Sequence, residues 1–120
     1  DEIYSRQISD EKKMPTFFNY THLYDRLIVL DGWSKAYSMT GWRLGWSVWP
    51  EQFVEHINKF CTNNHSCVNA AVQLGGIAAL DGPDDFIIMV MKEFTERRKI
   101  IFEGLNNIKG IECSLPGVAF

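Results

Sequence analysis

The chain has 120 residues, 46% hydrophobic and 22% charged, with a net charge of −3. That length suggests one domain at most, and the composition is that of an ordinary globular protein. No basic face tracks the chain, no signal peptide opens it, and no apolar run reaches the roughly 18 residues of a membrane span, so nucleic-acid and membrane partners are not expected.

In chain order, Asp1-Glu2-Ile3-Tyr4 is followed by a polar stretch with the charge run Asp10-Glu11-Lys12-Lys13, which reads as a solvated loop or a short helix end. Pro15 excludes a helix there. Phe17, Phe18, Tyr20, Leu23 and Tyr24 form an aromatic cluster expected to pack rather than to bind. Leu27 to Leu30 is a short apolar run and reads as a strand of an α/β sheet. Asp31 to Gly45 follows it, rich in Gly, Ser and Thr, and Leu44 to Trp49 reads as a second strand ending at Pro50. The link is too short for a crossover helix, so the two strands should run antiparallel.

Glu51 to Thr62 carries Phe53, Val54, Ile57, Phe60 and Cys61 on one helical stripe, then breaks at a polar stretch through Ser66. Ser66 to Leu80 reads as a second helix lined with Ala70, Ala71, Gly75, Gly76, Ala78 and Ala79. Its paired glycines imply close packing or a kink. Asp81 to Asp85 starts a third helix, with Pro83 in its first turn and apolar residues recurring from Phe86 to Leu105. Glu93 and Arg97 are an i, i+4 pair on its polar face. Lys109-Gly110 reads as a turn, and Ile111 to Leu115 as a short strand. Cys61, Cys67 and Cys113 read as reduced, mostly buried thiols. The three histidines form no ligand cluster, so no metal site is expected.

The chemistry concentrates in Asp31 to Gly45. A lone lysine in a loop is usually a solvated charge, and a lone arginine a surface ion pair. Here Ser34, Lys35 and Arg43 lie together past the end of a strand, where α/β sheets bind ligands. They could hold a phosphate and leave an amine for chemistry. Ser34 to Gly45, Ser-Lys-Ala-Tyr-Ser-Met-Thr-Gly-Trp-Arg-Leu-Gly, resembles the lysine motif of class I/II aminotransferases, which belong to fold type I. The resemblance implies that Lys35 carries pyridoxal 5'-phosphate as a Schiff base and that Arg43, eight residues on, binds the cofactor phosphate. It implies that Ser34 donates to the same phosphate. The family often has a further Ser or Thr where this chain has Gly32.

Asp1-Glu2-Ile3-Tyr4 is similar to the family's D-E-x-Y, and Lys35 lies 34 residues after Asp1, as the family arranges it. The resemblance implies that Asp1 pairs with the ring nitrogen and that the Tyr4 hydroxyl contacts the ring oxygen. A carboxylate there favours the protonated ring, a better sink for a carbanion's electrons.

The expected fold is therefore α/β: part of the large cofactor-binding domain of a fold-type-I aminotransferase, with sheet strands flanked by helices. Residues 1–82 would belong to that domain, and residues 83–120 to a long connecting helix and the start of the small domain. The implied reaction moves an amino group between an amino acid and a 2-keto acid in a cytoplasmic homodimer, with Asn64 and Ser66 as candidate contacts to the partner subunit. Fold-type-I lyases and synthases share the lysine motif, and a non-catalytic cofactor-binding regulator is a third reading. Pro116 to Phe120 is similar to the family's P-x-G-A-F, with Val118 where Gly is usual. Because the chain starts and stops inside family patterns, it is expected to be a piece of a longer enzyme, inactive by itself.

Overall fold

The computed structural model describes residues 1–9 and 13–117. The chain divides into two units, Asp1–Ile3 with Pro15–Gly82, and Tyr4–Met14 with Pro83–Phe120. Most of the charge run and Val118 to Phe120 lie outside the described residues, while Lys13 is exposed.

The first unit is built on a two-stranded antiparallel sheet, β1 (Val29–Gly32) and β2 (Gly45–Val48). The antiparallel pairing is as the short link requires. The boundaries differ from the hydrophobic runs: β1 begins two residues after Leu27 and continues into Asp31 and Gly32. The register explains both shifts. Val29 pairs with Val48, so Ile28 and Leu27 would face Trp49 and Pro50, and proline has no N–H for a ladder. At the other end Gly32 pairs with Gly45. A Cβ on Gly32 would lie 2.9 Å from both the Gly45 Cα and the Leu44 carbonyl oxygen. Two bare backbones thus close the base of the hairpin.

Ahead of β1, the aromatic cluster forms two 3-10 turns, Phe17–Asn19 and Thr21–Leu23. Phe18 stacks on Trp46 with centroids 6.4 Å apart, and Phe17 meets Tyr20 at 5.9 Å, but Phe17, Tyr20 and Tyr24 stay exposed.

Helix α1 (Trp33–Ala36) follows β1 directly, and helix α2 (Glu51–Asn64) follows β2. Helix α2 runs through Thr62, Asn63 and Asn64, which the sequence reading assigned to a break. The Thr62 hydroxyl donates to the Asn58 carbonyl at 2.9 Å and the Asn63 amide to the Lys59 carbonyl at 2.7 Å, so these polar residues bond back into the helix. The chain leaves the helix at Ser66, whose φ of 62° is left-handed. Helix α3 (Ala70–Asp81) starts four residues later than Ser66 because Asn69 is its cap. The Asn69 Oδ1 accepts from the Ala71 and Val72 N–H groups at 2.9 and 3.3 Å.

The second unit is dominated by α4 (Asp85–Asn106). Pro83 lies before its cap, Asp84, rather than in the first turn, and the Asp84 carboxylate pairs with Arg6. The Glu93–Arg97 pair forms as expected, at 2.9 Å. Ile111 to Leu115 is not a strand. Asn106 satisfies the backbone there instead: its Oδ1 accepts from the Cys113 N–H at 3.0 Å and its Nδ2 donates to the Cys113 carbonyl at 3.2 Å. Gly110, in the preceding turn, has φ of 87°. The cysteines are free, but they are less buried than expected: Cys67, in the link between α2 and α3, is exposed, and Cys61 and Cys113 are only half-buried.

Buried apolar residues are few among those described, and all of them, Val29, Ala36, Met39 and Leu44, belong to the hairpin or its loop. The best-packed part of the first unit is therefore the frame of the lysine segment.

Candidate functional site

Residues 33–44 form a loop whose two ends are held together at the sheet. Beyond the Gly32–Gly45 pair, the Trp33 N–H donates to the Leu44 carbonyl at 3.3 Å. Ser34 and Lys35 lie on α1, and Arg43 ends a 3-10 turn at Thr40–Trp42 that packs on α1. The loop folds back on itself: the Tyr37 and Met39 N–H groups donate to the Trp33 carbonyl at 3.1 and 3.4 Å, and the Ser38 N–H to that of Lys35 at 3.2 Å. Both Ser34 and Lys35 are half-buried, whereas Arg43 is exposed and its guanidinium donates to the Thr40 carbonyl at 2.9 Å.

Two features of this loop were not apparent from sequence. Arg43 adopts φ 54° and ψ 44°, and Ser38 also has φ of 54°. Left-handed backbone at residues with a Cβ is uncommon and costs roughly 1–3 kcal/mol each, and such strain clusters at functional sites. The second feature is the docking of α3. The Trp33 indole donates to the Gly76 carbonyl at 3.0 Å. A Cβ at Gly75 would lie 2.3 Å from the Trp42 ring, and one at Gly76 would lie 2.4 Å from Leu44. The close packing expected of the glycine pair is therefore found, and its partners flank the two candidate phosphate and amine groups. Trp33 precedes Ser34, and Trp42 precedes Arg43.

Gly32 is explained by the same crowding. Its φ is extended and any residue could adopt it, but a side chain would meet the opposite strand at 2.9 Å. The hydroxyl expected there has no room in this hairpin.

Asp1 lies in the same unit. Its Oδ1 accepts from the Ile3 N–H at 3.1 Å, and the neighbouring Glu2 N–H donates to the Leu30 carbonyl in β1 at 2.7 Å. Tyr4 belongs to the second unit, where it lines a hollow of about 740 Å³ with Ser9, Phe94, Arg98 and Phe102. The structure therefore brings Asp1, Ser34, Lys35 and Arg43 into one unit and assigns Tyr4 to the other. A hollow of about 700 Å³ in the first unit, between Phe18, Leu27, Val48 and Trp49, contains none of the four. Its walls are mainly apolar, and its charged lining residues, Asp25 and Glu51, are acidic. The candidate donor groups therefore lie on the loop and not in this hollow. No group of three metal-ligating side chains occurs among the described residues, and no described helix is long and apolar enough to cross a membrane.

The hairpin, its lysine loop and the helices around it are α/β architecture of the fold-type-I aminotransferases, and a profile described as "Aminotransferase class I and II" matches residues 1–120. The chain belongs to that family. It is 38% identical over 98 residues to the aspartate aminotransferase of Rhizobium meliloti, which covers 82% of this chain and 24% of that protein. It is 37% identical over 120 residues to the LL-diaminopimelate aminotransferase of Moorella thermoacetica, covering all of this chain and 30% of the relative. Among solved structures, the aspartate aminotransferase of Rhizobium meliloti matches with a TM-score of 0.94 at 32% identity, over 100% of this chain and 30% of that one. The aromatic aminotransferase of Pyrococcus horikoshii matches with a TM-score of 0.91 at 30% identity, over 100% of this chain and 32% of the other. The chain thus spans about a quarter to a third of the length of these relatives.

Proposed function

We propose that the chain is the lysine-bearing segment of a pyridoxal-phosphate-dependent aminotransferase that moves an amino group between an α-amino acid and a 2-keto acid. The observation that carries this reading is the donor set on one closed loop: an amine at Lys35, a hydroxyl at Ser34 and a planar guanidinium at Arg43. These are the groups that a phosphate and an aldehyde on one small molecule require, so the residues fit the cofactor. Arg43 binds the phosphate with paired donors, and Ser34 adds a third. Lys35 is the point of covalent attachment. Its amine, when free, would take and return the proton at the substrate's α-carbon. Asp1 would favour the protonated form of the ring nitrogen. When bound, pyridoxal phosphate supplies the electron sink and carries the amino group between the two half-reactions.

In this reading residues 1–82 belong to the large cofactor-binding domain and residues 83–120 to the connecting helix and the start of the small one. The full-length protein is a cytoplasmic homodimer, with Asn64 and Ser66 towards the partner. The relatives' names, aspartate and LL-diaminopimelate among them, share an α-amino acid donor, which supports that substrate class. The test is product analysis with the full-length protein and its Lys35→Ala variant. A keto acid that forms only with Lys35 present is expected. Elimination or condensation products would point to a lyase or synthase, and cofactor binding without turnover to a regulator.

A further inference from the structure

Among the described residues, Glu2 is the only charged side chain that is buried, at 8% exposure. A carboxylate withdrawn from water needs hydrogen bonds, and Glu2 has them. Its Oε1 accepts from the Phe17 N–H at 2.9 Å, and the Thr16 hydroxyl lies 2.9 Å from both carboxylate oxygens. Thr16 is itself oriented, because its oxygen accepts from the Phe18 N–H at 3.2 Å, leaving its proton for Glu2. The Glu2 backbone meanwhile donates to Leu30 at 2.7 Å. One residue therefore ties the Asp1–Ile3 segment to the 3-10 turn on one side and to strand β1 on the other.

We propose that Glu2 is a positioning residue that sets the place of the Asp1 carboxylate relative to Lys35. The inference rests on the reading of Asp1 as the ring-nitrogen partner. A pyridoxal ring carries its nitrogen and its aldehyde carbon at opposite positions, so the groups that meet them must keep a constant separation. Lys35 is fixed to β1 through Gly32 and α1. Asp1 is fixed to β1 through Glu2, and its own Oδ1 is turned back across the Glu2 peptide by the Ile3 N–H at 3.1 Å. Glu2 closes that path. Without its carboxylate, the segment keeps the Leu30 contact but loses its bonds to Thr16 and Phe17.

The test uses the full-length holoenzyme with Asp1→Asn, Glu2→Ala, Glu2→Gln and the double variant Asp1→Asn/Glu2→Ala. The readouts are the pH midpoint of the cofactor's visible band and the rate of cofactor release. Glu2→Ala should move the midpoint in the same direction as Asp1→Asn but less far, and release cofactor about tenfold faster, as expected for losing charge-assisted bonds. Glu2→Gln keeps an oxygen acceptor and should stay near wild type. The double variant should match Asp1→Asn alone, since Glu2 acts through Asp1. If Glu2→Ala does not fold, Thr16→Val, which removes the hydroxyl donor, should give part of the same shift. An unchanged midpoint in Glu2→Ala and Thr16→Val, beside a clear shift in Asp1→Asn, overturns the positioning role alone. No shift in Asp1→Asn overturns the reading of Asp1 and this inference with it.

Discussion

At the residue scale, Arg43 combines a backbone strain with an exposed guanidinium. Its φ of 54° disfavours any residue with a Cβ, yet the side chain is aimed by a 2.9 Å bond to the Thr40 carbonyl. Arg43→Lys keeps the charge and loses the planar fork. The full-length variant is expected to fold normally and hold pyridoxal phosphate about tenfold less tightly, measured by equilibrium dialysis. Arg43→Gly removes the guanidinium and the strain together. Its cofactor affinity should fall further while its urea midpoint holds or rises, since glycine accepts positive φ freely. Unchanged affinity in both variants would make Arg43 a surface residue.

At the scale of elements, the glycines of two helices give opposite expectations for one substitution. In isolation Gly→Ala inside a helix gains about 1 kcal/mol. Gly104 in α4 has open space around it, so Gly104→Ala should stabilise by about that amount. A Cβ added at Gly75 would lie 2.3 Å from the Trp42 ring, and overpacking of about 1–3 kcal/mol outweighs the helix gain, so Gly75→Ala should lower the unfolding midpoint. Asn69→Ala removes the cap of α3 and should cost about 1 kcal/mol. Urea unfolding of the full-length variants reads all three. These cases also separate what was legible in the sequence from what was not. The antiparallel hairpin followed from a link too short for a crossover, and the amphipathic stripes of α2 and α4 from helical spacing. Element ends were less legible, since they depend on partners distant in sequence. β1 stops short of Leu27 because Pro50 stands opposite, and within Ile111 to Leu115, which forms no strand, the Asn106 side chain takes both backbone bonds of Cys113. Lys35, Ser34 and Arg43 could be read because they are neighbours along the chain. The left-handed backbone of Ser38 and Arg43, and the bonds from Thr16 and Phe17 to Glu2, leave no local signature.

At the scale of the molecule, the described residues leave a large apolar surface uncovered. Phe60 is 61% exposed, and Leu74 and Ile100 each 68%. Every residue of β2 is exposed, and a two-stranded sheet is marginal by itself. The 120-residue chain in isolation should therefore self-associate on sedimentation and show no transamination that depends on Lys35. A discrete monomer with Lys35-dependent turnover would contradict that expectation. The central claim, that Lys35 carries the cofactor, has a direct chemical test. The full-length protein is loaded with pyridoxal phosphate, reduced with borohydride, digested and mapped by mass spectrometry. The account predicts a reduced pyridoxyl adduct on the peptide containing Ser34-Lys35. A stoichiometric adduct on any other lysine, with Lys35 unmodified, would contradict it.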